Sequence, residues 1–307
     1  MDNVILIFIC LILGVLLQKL RVFPVNGHAT LNQYVIYISL PALSLYFIPK
    51  IVLSGALFFP LFTSWIGFAF AYVFFTALGK WLGWSKKLTG CLILTGGLGN
   101  TAFIGFPVVE ALFGKPGLQT AIVLDQAGTF VVMATLGIVI AATHSLKMKA
   151  AGSGAGDILK KVFSFPPFIA FLISACMNLS GFDFTDDIQS VLMSICRTTA
   201  PLALVAVGMQ LKIDRKSKYW NSLYIGLFFK LILMPAIIFT IYKVFLGGKG
   251  LAADVSVIES AMGPMVTAAV LASAYGLKPK LAGMMVGVGI PLSFITMDFW
   301  YWLLLNY

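Results

Sequence analysis

The sequence predicts an all-α polytopic membrane protein, ten transmembrane helices in two inverted five-helix repeats, and three observations lead there. Hydrophobic residues make up 60% of the 307 residues and charged residues 10%, with a mean hydropathy of +0.99; a soluble domain carries about a quarter charged residues. The apolar residues fall into ten runs, each near the ~20 residues that span a hydrocarbon core. The basic residues alternate between the connections that separate these runs.

In chain order the runs are Asn3 to Leu20, Thr30 to Phe47, Ala56 to Leu82, Leu88 to Phe113, Leu118 to Thr143, Phe165 to Leu179, Ile188 to Leu211, Leu223 to Phe245, Ala252 to Tyr275 and Leu281 to Leu305. The first is short and is followed by Gln18-Lys19-Leu20-Arg21, but no positive n-region and no Ala-x-Ala-like site accompany it, so it reads as a retained helix. Odd-numbered connections hold fifteen Lys and Arg, among them Lys80, Lys86, Lys87, Lys212, Arg215 and Lys216, whereas even ones hold Lys50, Lys115, Lys243 and Lys249. The positive-inside rule then makes the odd connections cytoplasmic and puts both termini outside a cell inner or plasma membrane. The net charge of +10 thus reports topology, not a nucleic-acid partner.

The connection His144 to Ser164 contains the low-complexity stretch Ala150 to Gly156, a flexible linker that divides the chain into halves 1–150 and 151–307. With five helices per half, a repeat must be inverted. Leu40-Pro41-Ala42-Leu43 is matched by Ala200-Pro201-Leu202-Ala203, Pro107 by Pro264, and Gly114-Lys115-Pro116 by Gly276-Leu277-Lys278-Pro279, all at offsets of about 160 residues.

Within the fourth run stands Gly96-Gly97-Leu98-Gly99-Asn100-Thr101-Ala102-Phe103-Ile104-Gly105-Phe106-Pro107. Proline removes a backbone donor and clashes with the preceding turn, and glycines weaken the helix, so the chain unwinds here. Backbone unwound in hydrocarbon must be buried in protein or line a cavity. In secondary transporters such breaks form the substrate site. Glu259-Ser260-Ala261-Met262-Gly263-Pro264 is the matching break in the ninth run, without an Asn-Thr pair.

The stretch Gly99 to Pro107 resembles the Asn-Thr-x-Phe-x-Gly-x-Pro signature of the auxin efflux carrier family, which includes the plant PIN-FORMED auxin carriers and bacterial transporters described as malate permeases. Length, segment number and the prolines of the second and seventh runs match across the whole chain. The resemblance implies a fold shared with bile-acid sodium symporters and sodium/proton antiporters, in which helices four and nine cross. It also implies elevator motion of helices three to five and eight to ten against a scaffold of helices one, two, six and seven, and a homodimer formed through that scaffold. Pro107 and Pro264 would be the crossover prolines and Asn100 a polar group near a substrate carboxylate.

The expected substrate-binding residues are Asn100, Thr101, Gly105, Pro107, Gly263 and Pro264. A purely structural reading of Asn100 and Thr101 is that they hydrogen-bond backbone freed at the break. Charges inside spans are costly and mark function by default. Asp125, Lys230, Glu259 and Glu110 are therefore expected in ion coupling or charge pairing, with Glu259 and Glu110 alternatively near the outer water interface. Asp125 and Lys230 could form a buried pair, as a static bridge or with the lysine standing in for a cation. Met284 and Met285 read as packing residues, and Trp81, Trp84, Trp220, Trp300 and Trp302 as an interfacial belt.

The four cysteines lack metal-ligand spacing, His28 and His144 lie at connections outside any metal motif, and no phosphate-binding loop appears. No enzyme, cofactor or metal site is expected. The function expected is secondary transport of a small organic anion, a mono- or dicarboxylate, with proton or sodium as a coupling ion. The alternatives are a sodium/proton or sodium/solute carrier of the same fold and a non-transporting membrane receptor for an organic acid.

Overall fold

The computed structural model describes residues 2–24, 26–50, 55–145, 163–164, 166–210 and 218–307. The linker Ala150 to Gly156 lies outside the described residues. Helices account for nearly all of the described residues: α1 (Asp2–Lys19), α2 (Gly27–Lys50), α3 (Phe58–Trp81), α4 (Lys86–Gly97), α5 (101–113), α6 (115–144), α7 (Pro166–Ser180), α8 (Asp186–Gln210), α9 (Trp220–Phe245), α10 (Leu251–Ser260), α11 (Val266–Ala274) and α12 (Pro279–Asn306). Among the described residues six helical stretches are long and apolar enough to cross a membrane, which makes this a polytopic membrane protein. One of the six, Thr101–His144, is broken at Gly114 (φ 67°, ψ −164°) into α5 and α6. Several helices begin before the apolar runs do, because first turns accept residues a lipid-facing run lacks. Pro279 occupies the first position of α12, where a missing N–H costs nothing.

Three of the π-helical turns, at Val35–Ser39, Thr101–Gly105 and Phe229–Leu233, lie just ahead of a proline. Each turn ends two residues before a proline, Pro41, Pro107 and Pro235 respectively. The wider turn moves the carbonyl that the ring would strike, and the helix continues instead of breaking. The third case shows where the freed carbonyl goes. Pro235 has no N–H for Leu231, and the indole Nε1 of Trp300 donates to the Leu231 carbonyl at 3.0 Å. Trp300 is 4% exposed, against 82% for Trp81 and 59% for Trp302, so it leaves the expected interfacial belt for this buried role. Met284 and Met285 are buried as packing residues.

Helix α1 lies along α8, which also contacts α2, and α7 packs on α2. On the other side α3 packs on α4 and α10, and α12 packs on α11 and α4. The first part of α6 lies beside α3 through its π-helical stretch Leu124–Thr129. That stretch carries Asp125 and Gln126 into the protein interior.

Trp300→Phe keeps the ring and removes the donor, leaving the Leu231 carbonyl without its partner. The variant should be less stable by about 1–3 kcal/mol, read as a lower melting temperature in detergent; an unchanged melting curve would show that the carbonyl is satisfied otherwise.

Candidate functional site

Helix α4 stops at Gly97, and Leu98 is extended (φ −116°, ψ 126°). Helix α10 stops at Ser260, and the chain is extended again at Met265 (φ −66°, ψ 125°) before α11. The two breaks meet and supply each other's missing partners. Asn100 N donates to the Gly263 carbonyl at 2.8 Å and Met265 N to the Leu98 carbonyl at 3.0 Å, with Gly99 and Pro264 facing each other as an antiparallel bridge. Gly99 and Pro264 form the non-hydrogen-bonded pair between those two bonds, so the proline takes a ladder position that needs no N–H.

Asn100 caps α5, its Oδ1 accepting from Phe103 N at 3.2 Å. That leaves its Nδ2, which is buried and has no hydrogen-bond partner. The hydroxyl of Thr101 donates to Asp125 Oδ1 at 2.6 Å, and Gln126 Nε2 donates to Asp125 Oδ2 at 2.7 Å. Ser44 Oγ of α2 in turn donates to Gln126 Oε1 at 2.7 Å. The chain Ser44, Gln126, Asp125, Thr101 therefore joins three helices, and all four residues are buried.

Lys230, fully buried, donates to the Ser260 carbonyl at 2.8 Å and lies 3.3 Å from Met234 Sδ. Ser260 is the last residue of α10, and Pro264, four residues on, cannot return an N–H to it. The ammonium fills that gap and sits at the negative end of the α10 dipole. Glycine at 99 makes room, since a Cβ there would stand 3.0 Å from the ammonium nitrogen. Glu259 is also fully buried, and neither of its carboxyl oxygens has a hydrogen-bond partner. Its carboxyl group rests on Gly105, where a Cβ would fall onto both oxygens.

The structure thus gathers Asn100, Thr101, Gly105, Gly263, Pro264, Asp125, Lys230 and Glu259 around one point. Glu110, on α5, is partly exposed and not among them. Pro107 lies within α5, two residues past its π-helical turn, and the break comes earlier, at Leu98 to Asn100, so that Gly99 and not Pro107 faces Pro264. Two expectations change. Glu259 is not near a water interface, because α10 ends in the protein interior. Asp125 and Lys230 do not form an ion pair, because Thr101 and Gln126 hold the carboxylate while Ser260 holds the ammonium. Ser44 and Gln126 were not singled out in the sequence; Gln126, an amide beside Asp125 in an apolar run, was the available signal.

A narrow cleft touches Asn100, Thr101, Asp125, Leu40, Met265 and Thr267. Its free volume of about 10 Å³ holds one water molecule at most. The cleft therefore offers one free amide donor beside a carboxylate, in a conformation too closed for an organic molecule.

Broken apolar helices that meet around buried polar groups place the chain among membrane transport proteins. It matches the membrane transport protein family over residues 1–301 and belongs to that family, the auxin efflux carriers. It is 30% identical over 316 residues to an uncharacterized transporter of Methanocaldococcus jannaschii, covering 100% of this chain and 99% of that one. It is 28% identical over 307 residues to an uncharacterized transporter of Methanothermobacter thermautotrophicus, covering 97% and 96%.

The contact between Gly105 and Glu259 gives a direct test. Gly105→Ala should lower stability by about 1–3 kcal/mol, the usual cost of overpacking. In a Glu259→Ala background the same change should cost much less, because the methyl then has room. Equal losses of melting temperature in both backgrounds would mean that the contact is not made.

Proposed function

We propose that the chain is a secondary transporter that moves small organic anions, mono- or dicarboxylates, by alternating access. The observation that carries this reading is the meeting of the two breaks, where two backbone hydrogen bonds join the extended segments and the Asn100 amide is left with a free buried donor. A substrate carboxylate would take that donor together with the positive N-terminal ends of α5 and α11. The closed cleft supports a cycle in which the site opens by relative movement of helix groups. In this reading α3–α6 and α9–α12 travel as an elevator against α1, α2, α7 and α8, which also form a homodimer contact. The chain would comprise ten spanning helices in two inverted halves, 1–150 and 151–307, with α4–α5 crossing α10–α11 and both termini outside the cytoplasm.

Asp125 and Glu259 favour a coupling ion. Two carboxyl groups and one ammonium leave the buried centre one negative charge in excess when all are ionised, and a bare buried carboxylate is expensive. A proton or a sodium ion at Glu259 or Asp125 removes that cost, and its loss would make an anion beside Asn100 unfavourable. The same charge balance favours the second reading, a sodium or proton carrier in which no organic anion is bound.

Thermal stabilisation of the purified protein by a panel of organic acids, with and without sodium and at two pH values, separates the readings. A carried acid at a hundred times its dissociation constant should stabilise by about 2.7 kcal/mol. The effect should vanish in Asn100→Ala, and the same acid should show counterflow in liposomes. Stabilisation by sodium alone, unaffected by any acid, would replace the anion carrier with the ion carrier.

A further inference from the structure

Away from the meeting point, a cavity of about 820 Å³ opens between α3, the start of α4 and the end of α6. One wall is a stripe of α3 that recurs each turn, from Phe68 through Tyr72 and Thr76 to Lys80. The opposite wall runs along α6 from Leu136 and Val139 to Thr143 and His144. Phe68 to Lys80 covers roughly 18 Å at 1.5 Å per residue, so the groove is long and its chemistry is graded. The inner end is aliphatic and aromatic; the outer end carries Lys80, Lys86, His144 and the indole of Trp84.

No described residue neutralises the basic end. Among the described residues the one ion pair is Lys243 with Asp254, on other helices, and no carboxyl group lines the cavity. His144 Nδ1 lies 3.0 Å from the Ile140 carbonyl, a position it holds as a donor, which leaves Nε2 for another partner. Thr76 Oγ1 is buried without a hydrogen-bond partner one turn inside Lys80. On its walls Tyr72, Leu136 and Val139 are 45%, 40% and 39% exposed.

We propose that this groove binds an anionic phospholipid. Its phosphate lies between Lys80 and Lys86, an ester oxygen accepts from Thr76, and an acyl chain runs down the apolar walls toward Phe68. A soluble anion would use only the outer end and leave the apolar length unexplained. A zwitterionic lipid would bring an ammonium group against two lysines. Basic pockets between membrane helices bind anionic headgroups in this way, each lysine contributing about 1 kcal/mol. The site lies apart from the paired breaks and stands whatever the protein carries.

Native mass spectrometry of the delipidated full chain, titrated with phosphatidylglycerol, phosphatidylcholine and glycerol phosphate, tests it. Phosphatidylglycerol should bind at least about tenfold more tightly than phosphatidylcholine, and glycerol phosphate should not displace it. Lys80→Gln with Lys86→Gln should weaken phosphatidylglycerol roughly thirtyfold, from two lysines, while Lys80→Arg with Lys86→Arg should retain it. Val139→Trp, which narrows the apolar wall without touching a charge, should weaken the lipid as well, and it serves if the glutamine pair does not fold. Equal affinity for the two lipids overturns the proposal. So does displacement by glycerol phosphate, which would mark a soluble-anion site, or lipid binding indifferent to all these changes.

Discussion

In hydrocarbon a peptide group without a partner costs several kcal/mol, so a helix can open in a membrane only where something else completes its hydrogen bonds. This chain opens two helices at the same place and lets each complete the other, through Asn100 with Gly263 and Met265 with Leu98. The arrangement tolerates Pro264 only in the register observed, since a shift of one residue would place the proline where the ladder needs a donor. Gly99 and Gly105 follow from the same crowding, with Lys230 and Glu259 packed against positions that have no side chain. The polar groups at the centre are held by the geometry of the breaks and in turn stabilise it.

Lys230 illustrates how structural and functional readings of one residue converge. Its bond to Ser260 replaces the N–H that Pro264 lacks, which is a structural service. The positive charge thereby fixed in the interior is also what offsets Glu259 and Asp125. The chain of hydrogen bonds from Ser44 to Asp125 and Thr101 gives α2 a connection to the same centre.

The sequence by itself determined that the chain is an apolar multi-helix protein, where its helices fall within a few residues, and that Gly96 to Pro107 and Glu259 to Pro264 interrupt them. Those features are local: helix length follows from hydropathy, and interruption follows from the glycines at the first break and from Gly263 and Pro264 at the second, whereas Pro107 sits in continuous helix. Asn100, Thr101, Asp125, Lys230 and Glu259 were also legible, because charge and amide groups inside apolar runs stand out. Only the tertiary structure decided who meets whom. It separated Asp125 from Lys230, buried Glu259, withdrew Trp300 from the interface to serve Leu231, and brought in Ser44 and Gln126. Each of those outcomes depends on the rotation of one helix against another, and a hydropathy pattern in which most faces are apolar carries little information about that rotation.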